Sequence, residues 1–344
     1  MPTPVSVGIV ALGRSGWSIH AAILATLPDL YRVVAVADPN PQRLQEARAQ
    51  FGCATYKTID RLLKDPAVEL VVVAAPSHLH ARYTIKALKA GKAVVCEKPM
   101  ARTLREADRM IQTAQETGQL LTVFQNRRYS PDFLKVREVI ASGVLGEILL
   151  VRMAWHGFGR RWDWQTLQRF GGGSLNNTGP HAIDQALQLL GPAQPKITCD
   201  LRRALTLGDA DDHVKIILQA PGAPLIDIEI TAACAYPQEP WLIMGTRGSL
   251  TGSATQLRWK YFIPSELPPR QLDPTPTPDR SYNRDEIPFH EESWTMDEGQ
   301  GWGWDSYYRD LYAALRQGAP VPVTAESARR VMWVIEQCHK QCPL

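Results

Sequence analysis

The chain has 344 residues, 44% of them apolar, which is enough for two domains that each bury a core. Its 38 lysines and arginines nearly balance 35 aspartates and glutamates, and like charges do not form blocks, so nucleic acid and an anionic membrane are poor candidate partners. The composition also excludes a disordered chain, a collagen and a disulfide-stapled miniprotein, and it favours a small-molecule partner. Nine of the ten tryptophans follow residue 150, so the two halves of the chain differ chemically.

The six cysteines form no Cys-x-x-Cys pair, which is typical of reduced thiols, and we expect a cytoplasmic protein. No basic residue precedes the short hydrophobic run at the N-terminus, and no stretch reaches the roughly 18 apolar residues of a membrane span, so we expect neither a targeting segment nor a transmembrane helix. Cys338 and Cys342 lie four residues apart with His339 beside them. This spacing leaves a metal site as a minor alternative to our expectation that the chain binds no metal.

In the first 125 residues, short β-rich apolar runs alternate with longer amphipathic stretches. The predicted strands span 5–10, 33–37, 70–75, 93–96 and 120–124, and the predicted helices span 16–27, 41–51, 80–90 and 103–117. Thr103 and Glu106 form a capping box at the start of the fourth helix. Strands that are apolar on both faces and alternate with helices predict an α/β domain with a doubly wound parallel sheet.

Beyond residue 125 the pattern changes to longer strands and fewer helices. Helices are predicted at 131–142, 179–190 and 325–342, and strands at 148–156, 197–204, 213–219, 225–233, 241–245 and 257–262. Several strands alternate polar with apolar residues, which indicates a large, mostly antiparallel open sheet with one free face. We therefore predict a Rossmann domain over 1–125 and an α+β domain over 126–344 that carries substrate binding and oligomerisation, with the last helix able to pack back on the first domain.

Two stretches of the second half are predicted to be loops. Six prolines between 264 and 278 lack the donor that a strand ladder needs. Three glycines in 299–304 would weaken any helix.

A glycine-rich turn follows the first predicted strand and has the form Ala11-Leu12-Gly13-Arg14-Ser15-Gly16. In a G-x-G-x-x-G turn, Gly13 lets backbone N–H groups approach a pyrophosphate, and Gly16 lets the helix pack closely on the strand. Ala11 stands at the first glycine position, a departure that is tolerable only if the turn does not require positive φ there. Asp38 follows 22 residues after Gly16, where a carboxylate accepts hydrogen bonds from the adenosine ribose. NAD is therefore favoured, although Arg43 leaves NADP open.

The ends of the other parallel strands should meet this turn in one crevice, because ligands of open α/β sheets lie outside the carboxyl ends of the strands. The third strand ends in Ala75-Pro76-Ser77-His78-Leu79-His80 and the fourth in Glu97-Lys98-Pro99. The predicted cofactor-binding residues are Ala11, Leu12, Gly13, Arg14, Ser15, Gly16, Asp38, Arg43, Ala75, Pro76, His78, His80, Glu97, Lys98 and Gln125.

Together with further motifs in the second half, this arrangement resembles the glucose–fructose oxidoreductase / inositol dehydrogenase (Gfo/Idh/MocA) family over nearly the whole chain. The motifs are the glycine turn, Glu97-Lys98-Pro99, Asn126-Arg127-Arg128-Tyr129, the segment 143–148, and Gly171-Gly172-Gly173 followed by Gly179-Pro180-His181 and Asp184. The resemblance implies a Rossmann domain, an open sheet that forms a homodimer or homotetramer, and hydride transfer between a nicotinamide and a carbon of a sugar, cyclitol or derivative. It further implies that Lys98 contacts substrate and cofactor, and that His181 accepts the hydroxyl proton.

The same residues suit the chemistry independently of the family. Oxidation of an alcohol needs a hydride acceptor, a base for the hydroxyl proton and a positive group near the developing alkoxide. His181 suits the base and Lys98 the charge or a proton relay. Many family members carry Asp four residues before this histidine; here Asn177 occupies that position, where it can orient a hydroxyl but cannot take a proton. The predicted catalytic residues are Lys98, His181 and Asn177.

Aromatic and polar residues of the second half are predicted to bind the substrate, because aromatic faces stack on sugar C–H surfaces and arginine forks bind hydroxyls or carboxylates. The predicted set is Lys98, Asn126, Arg128, Tyr129, His156, Arg161, Trp164, Asn177 and His181. Among the tryptophans, Trp155, Trp162 and Trp164 are expected near the substrate, and Trp241 and Trp259 on the sheet.

Two alternatives to a simple dehydrogenase stay open from the sequence. One is a redox-assisted enzyme that cleaves glycosides or epimerises sugars while tightly bound NAD is regenerated. The other is a catalytically silent homologue that senses NAD or sugar, which Asn177 and Ala11 favour and Lys98 and His181 oppose.

Overall fold

The structure, a computed structural model, describes residues 3–277 and 280–344. The predicted proline-rich loop therefore ends at Pro278, outside the described residues. Its described part begins with a short 3₁₀ turn, Pro264–Glu266, and is otherwise irregular. None of the described helices has both the length and the apolarity needed to cross a membrane.

A parallel sheet forms the core of the N-terminal domain, as predicted. Its strands lie in the order β3-β2-β1-β4-β5-β6, the arrangement of a Rossmann domain. They are β1 (Val5–Val10), β2 (Tyr31–Ala37), β3 (Ala54–Tyr56), β4 (Leu70–Val73), β5 (Ala93–Cys96) and β6 (Leu121–Val123). All four residues of β4 are buried, because helices cover both faces of the sheet. Sequence analysis missed β3, which has three half-buried residues.

The crossover helices lie close to their predicted positions. A single stretch of π-helix, Gly16–Ala21, runs into α1 (Ala22–Ala25), and the remaining helices of this domain are α2 (Pro41–Phe51), α3 (Ile59–Leu62), α4 (His80–Lys89) and α5 (Leu104–Thr117). The Thr103 hydroxyl accepts a hydrogen bond from the Glu106 N–H at 3.2 Å, while the Glu106 carboxylate accepts one from the N–H of Arg102 at 3.1 Å. The start of α5 is thus capped from both sides.

The second sheet is larger and mostly antiparallel, again as predicted. Among the described strands its order is β14-β13-β12-β11-β7-β10-β9-β8, with β7 and β10 parallel. The strands are β7 (Ile148–His156), β8 (Lys196–Arg202), β9 (His213–Gln219), β10 (Leu225–Thr231), β11 (Trp241–Gly245), β12 (Gly248–Gly252), β13 (Gln256–Tyr261) and β14 (His290–Thr295). The helices are α6 (Pro131–Ala141), α7 (Ser174–Asn177), α8 (Gly179–Leu190), α9 (Trp304–Gln317) and α10 (Ala325–Gln341).

The two faces of this sheet differ. Ile226 and Ile228 of β10 are fully buried on the side that α8 covers, whereas Asp227 and Glu229 point to the opposite, open side. On the open side Lys215 bridges both carboxylates at 2.6 and 2.9 Å.

The last two helices return to the N-terminal domain. Tyr307 and Tyr308 of α9 are fully buried. The Tyr307 hydroxyl lies 3.0 Å from the Thr122 hydroxyl of β6, and Tyr31 of β2 donates to the Tyr308 carbonyl at 2.6 Å. The prediction of a loop over 299–304 was wrong at its last residue, because α9 begins at Trp304.

Candidate active site

The turn after β1 has a conformation that the sequence did not lead us to expect. Ala11 has φ of +69°, so the turn takes positive φ at this position and the condition for tolerating alanine there is not met. A left-handed conformation costs an L-residue about 1–2 kcal/mol. At Gly16 a Cβ would lie 1.9 Å from the Ala11 carbonyl oxygen, so only glycine fits. At Gly13 a Cβ would meet no protein atom within 4 Å, because this glycine faces open space.

The Asp38 carboxylate is fixed directly behind this turn. Its Oδ2 accepts from the Leu12 N–H at 2.7 Å, and its Oδ1 accepts from the Asn40 N–H at 2.8 Å. Arg43 Nη1 lies 3.5 Å from Oδ2. Since each carboxylate oxygen has two acceptor sites, Oδ1 retains capacity for a ribose hydroxyl, whereas Oδ2 already accepts from both Leu12 and Arg43.

A cleft of about 520 Å³ opens in front of the turn and the strand ends. Ten of the predicted cofactor residues line it: Ala11, Gly13, Arg14, Ser15, Arg43, Ala75, Pro76, His80, Glu97 and Lys98. Arg161, Trp164 and Asn177 of the second domain close its far side. A glycine with free space, a buried carboxylate at the end of β2 and a cleft of this volume fit a dinucleotide.

Buried hydrogen bonds fix the loops that form the cleft. His80 lies between the carbonyl oxygens of Ala75 and Pro99, at 2.7 Å from each ring nitrogen. Glu97 accepts from the N–H of Lys98 at 2.9 Å and pairs with His20 Nε2 at 3.1 Å. Although burial acts to raise it, the pKa of Glu97 is lowered by the hydrogen bond and charge of His20 and by the charge of Lys98. The carboxylate therefore stays ionised beneath Lys98.

Lys98 reaches from the first domain to the second. Its Nζ donates to the Asn177 carbonyl at 3.0 Å. Burial lowers the pKa of Lys98; Glu97 opposes this effect, whereas the charges of Arg14 and Arg127 add to it. The Asn177 side chain is held separately, since its Oδ1 accepts from Gln165 Nε2 at 3.3 Å.

His181 lies in the first turn of α8. Its Nδ1 is buried and has no hydrogen-bond partner among the described residues. Burial, then the charges of Lys98 and Arg127, lower the pKa of His181 well below its usual value. Its ring lies nearly parallel to that of Trp155, with centroids 6.3 Å apart. The site therefore holds a neutral imidazole beside two cations.

A second cavity, of about 990 Å³, begins where the first ends. Arg161 lines both cavities, and its guanidinium is fixed by Asp163 at 2.9 Å and by Gln165 at 2.6 Å. Thr178 and Gln185, which share the His181 face of α8, line the second cavity together with Arg127, Asp132, Trp155, His156 and Trp241. His156 Nε2 lies 3.1 Å from Glu229 Oε1 without a hydrogen bond to it, and its Nδ1 accepts from the Gln238 N–H at 3.2 Å.

Of the nine residues predicted to bind the substrate, His156 and Arg161 line the second cavity. Lys98, Trp164 and Asn177 line the first cleft instead, and neither cavity is lined by Asn126, Arg128, Tyr129 or His181. Arg128 forms a two-point ion pair with Asp184, at 2.7 and 2.6 Å, and belongs to the core. Tyr129 donates to Asp310 of α9 at 2.7 Å.

Other predicted residues support the cavities without lining them. Gln125 and Asn126 are buried after β6, and His78 faces the Phe170 ring at 5.5 Å. Trp162 is 77% exposed, so it does not lie in a substrate pocket. Trp241 and Trp259 are on strands of the sheet, as expected.

The alternative of a metal site at the C-terminus receives no support. No group of three or more His, Cys, Asp and Glu side chains in the described ranges is placed to hold a metal ion. His339 instead lies 3.1 Å from the Asn176 side chain.

Sequence reasoning missed Arg127, which lines the second cavity and acts electrostatically on both Lys98 and His181. It stands next to Arg128 in a short 3₁₀ turn, Asn126–Tyr129, where neighbouring side chains point in different directions. The sequence alone did not distinguish the two arginines.

Comparisons with known proteins agree with this geometry. Residues 5–125 match the Gfo/Idh/MocA model described as an oxidoreductase family with an NAD-binding Rossmann fold, and residues 133–251 match the Gfo/Idh/MocA C-terminal domain. The chain is 29% identical to scyllo-inositol 2-dehydrogenase (NADP(+)) IolW of Bacillus subtilis over 96% of its own length and 92% of that protein. An uncharacterised oxidoreductase of Schizosaccharomyces pombe is 32% identical over 72% of this chain and 70% of that protein.

A solved structure shows the same fold at low identity. Levoglucosan dehydrogenase in complex with NADH and levoglucosan superposes with a TM-score of 0.80 at 22% identity, over 98% of this chain and 97% of that one. Since both domains match in order and the glycine turn opens a dinucleotide cleft, this protein belongs to the Gfo/Idh/MocA family and is an NAD(P)-dependent oxidoreductase.

Proposed function

We propose that the protein is a dehydrogenase that moves a hydride between the nicotinamide of NAD(P) and a hydroxyl-bearing carbon of a sugar, cyclitol or derivative. The observation that carries this proposal is the neutral imidazole of His181 with its unpartnered Nδ1, on which two charges act: Lys98, which lines the first cleft, and Arg127, which lines the second cavity. The similarity to a scyllo-inositol dehydrogenase and the shared fold with a levoglucosan dehydrogenase support the substrate class.

The first cleft would hold the cofactor. Gly13 gives the pyrophosphate room, and Asp38 would accept hydrogen bonds from the adenosine ribose. When bound, the nicotinamide supplies the acceptor or donor of the hydride. We infer a preference for NAD, because the Asp38 carboxylate repels a 2′-phosphate; Arg43 lies close enough to reduce that preference. Comparing kcat/KM for NAD⁺ and NADP⁺ measures the preference directly.

His181 would take the hydroxyl proton during oxidation and return it during reduction. A general base must be unprotonated at working pH and within hydrogen-bond reach of the hydroxyl. Its lowered pKa meets the first condition, and its buried Nδ1 has an acceptor position that no described residue fills. The cations Lys98 and Arg127 favour the neutral form, so proton release after each turnover is also favoured.

Lys98 would stabilise the negative charge that develops on the oxygen. Its side chain is half-buried in the wall of the first cleft, and a charge acts more strongly there than in bulk water. Its bond to the Asn177 carbonyl fixes the ammonium at the junction between the domains. The Asn177 amide cannot replace a carboxylic acid in proton transfer. Its proposed role is to orient a substrate hydroxyl by hydrogen bonding.

The test is turnover of His181→Asn and Lys98→Met on a panel of sugars and cyclitols, followed by nicotinamide absorbance. Loss of a general base lowers kcat by roughly 10²–10⁴-fold. Cofactor affinity, measured by calorimetry, should stay within about tenfold, or 1.4 kcal/mol. His290→Asn is the matched control, because His290 is exposed on β14 at the sheet edge. Full turnover by His181→Asn would refute the assignment.

The same experiment separates the two alternatives. A redox-assisted glycosidase or epimerase would purify with its cofactor and convert a substrate without net change in absorbance. A silent sensor would bind NAD(H) and turn over no sugar. Net absorbance change in step with product supports the dehydrogenase.

We also propose that the open face of the large sheet contacts a second copy of the chain, in a homodimer or homotetramer. This face combines the ion pairs of Lys215 and Arg152 with Asp227 and the partly exposed side chain of Met244. Sedimentation velocity of the wild type and of Met244→Glu tests the proposal: the variant should dissociate at concentrations where the wild type does not.

A further inference from the structure

Arg127 is held in an unusual environment in the wall of the second cavity. Its guanidinium stands between two indole rings, 5.5 Å from the centroid of Trp155 and 5.6 Å from that of Trp302. Within residues 3–277 and 280–344 no hydrogen bond or salt bridge is made by this guanidinium. Its five donors are thus held in place by aromatic contact and left free to bind.

Three neighbouring arginines are committed to acceptors, and Arg160 of the same cavity is exposed to solvent. Arg128 binds Asp184, Arg161 binds Asp163, and Arg152 binds Asp227. The half-buried guanidinium of Arg127 therefore differs from its neighbours, since a cation that has lost part of its hydration needs an acceptor.

The nearest acidic group of the protein does not fill this role. Asp132 attracts Arg127 through space, but its Oδ2 accepts from Trp241 at 2.9 Å and its Oδ1 has no partner among the described residues. Burial raises the pKa of Asp132, which weakens it further as a counter-ion. The other acidic residue of this cavity, Glu239, lies at its exposed mouth.

Arg127 is also close to His181, since its guanidinium and the His181 ring both lie against Trp155, at 5.5 and 6.3 Å from its centroid. We propose that the substrate carries a carboxylate, as in a uronic or other sugar acid, and that Arg127 binds this group while His181 faces the hydroxyl to be oxidised. This inference rests on the proposed function and specifies its substrate class. A guanidinium in contact with two indole rings and free of other partners presents paired N–H donors, which match a planar carboxylate in two-point contact.

The experiment compares matched sugars that differ in the anionic group alone. The wild type is assayed with glucose and glucuronate, with galactose and galacturonate, and with glucose 6-phosphate. The expected result is a higher kcat/KM for the acid of at least one pair, by about 10- to 100-fold, as for a hydrogen-bonded charge pair. A preference for the phosphate ester, or for the neutral sugar in both pairs, overturns the inference.

The variants Arg127→Met and Arg127→Lys then assign the preference to this residue. The acid-to-neutral ratio of kcat/KM should fall towards one in Arg127→Met, and part of it should remain in Arg127→Lys. The matched control is Arg137→Met, an exposed arginine of α6, which should keep the ratio of the wild type. An unchanged acid-to-neutral ratio in Arg127→Met overturns the inference. A fall of kcat/KM for both sugars by the same factor also leaves the ratio unchanged, and it would report only a changed environment of His181.

The two proposals fail in different ways. If neutral sugars are oxidised with the same kcat/KM as the matching acids, the dehydrogenase proposal stands and the inference is wrong. If no sugar is oxidised, the dehydrogenase proposal is wrong, and calorimetry of glucuronate against the enzyme–NADH complex decides the inference. Binding that Arg127→Met weakens supports the acid site, and no binding overturns it.

Discussion

The stability of an Arg128 variant distinguishes two roles for this residue. The sequence predicts that Arg128 binds the substrate, whereas in the structure Arg128 pairs with Asp184 in the core. Arg128 Nε and Nη2 donate to the two carboxylate oxygens at 2.7 and 2.6 Å, and Nη2 also donates to Ser327 at 2.8 Å. The side chains are 14% and 2% exposed. Arg128→Met removes all three bonds and leaves Asp184 buried without its cation, which costs about 3–5 kcal/mol of unfolding free energy.

The loss should depend on pH in a defined direction. Burial raises the pKa of Asp184, even though the hydrogen bond and charge of Arg128 act to lower it, and removing Arg128 raises it further. A carboxyl whose folded-state pKa lies above its unfolded value stabilises the fold at low pH and loses that effect as pH rises through the folded pKa. The deficit of Arg128→Met should therefore be smaller at pH 5 than at pH 8.

Urea unfolding followed by tryptophan fluorescence measures this deficit at the two pH values. The matched control is Arg309→Met, which breaks an exposed pair with Asp305 and should cost less than about 1 kcal/mol. If Arg128→Met kept the unfolding midpoint of the wild type and raised KM instead, Arg128 would be a substrate contact and the structural argument would be wrong.

Three further outcomes are expected. Gly13→Ala should keep the urea midpoint of the wild type but bind NAD(H) at least about tenfold more weakly by calorimetry. Gly16→Ala should lower the urea midpoint, because its Cβ would lie 1.9 Å from the Ala11 oxygen. The reverse ranking of the two variants would contradict this geometry. Ala11→Gly should raise the unfolding free energy by about 0.5–1 kcal/mol, since relief of left-handed strain exceeds the entropy of an added glycine; no gain would argue against strain. In Lys98→Met, the residual activity should fall off at higher pH on the acid side than in the wild type, because one of the charges that lower the pKa of His181 is gone. An unchanged acid limb of the pH–rate profile would show that Lys98 does not act on His181.

The Rossmann half could be predicted because its strands are buried on both faces and therefore read as unbroken apolar runs. The second half was harder for a physical reason. β14 has the sequence His-Glu-Glu-Ser-Trp-Thr and lies at the sheet edge, where it pairs through backbone groups and needs no apolar pattern. β12 is five residues long with a glycine at each end, and α9 directly follows a glycine-rich segment. Each lacks the local signal on which sequence analysis depends.

The candidate site also contains residues that could be predicted from the sequence and one that could not. Gly13, Lys98 and His181 could be found because their chemistry is tied to strand ends and to a helix start. Arg127 could not, because its role depends on the two tryptophans that enclose its guanidinium, and these lie 28 and 175 residues further along the chain. Only tertiary structure brings them together.

The return of the last helices to the first domain has a consequence for synthesis on the ribosome. Tyr307 and Tyr308 complete the packing around β2 and β6, and Thr324 bridges to Thr122 of β6. Domains that emerge first commonly fold first, but here the first domain lacks part of its interior until nearly the whole chain has been translated. Folding of the cofactor domain is thereby coupled to completion of the polypeptide, and a chain that ends before α9 leaves an apolar surface exposed beside the nucleotide cleft.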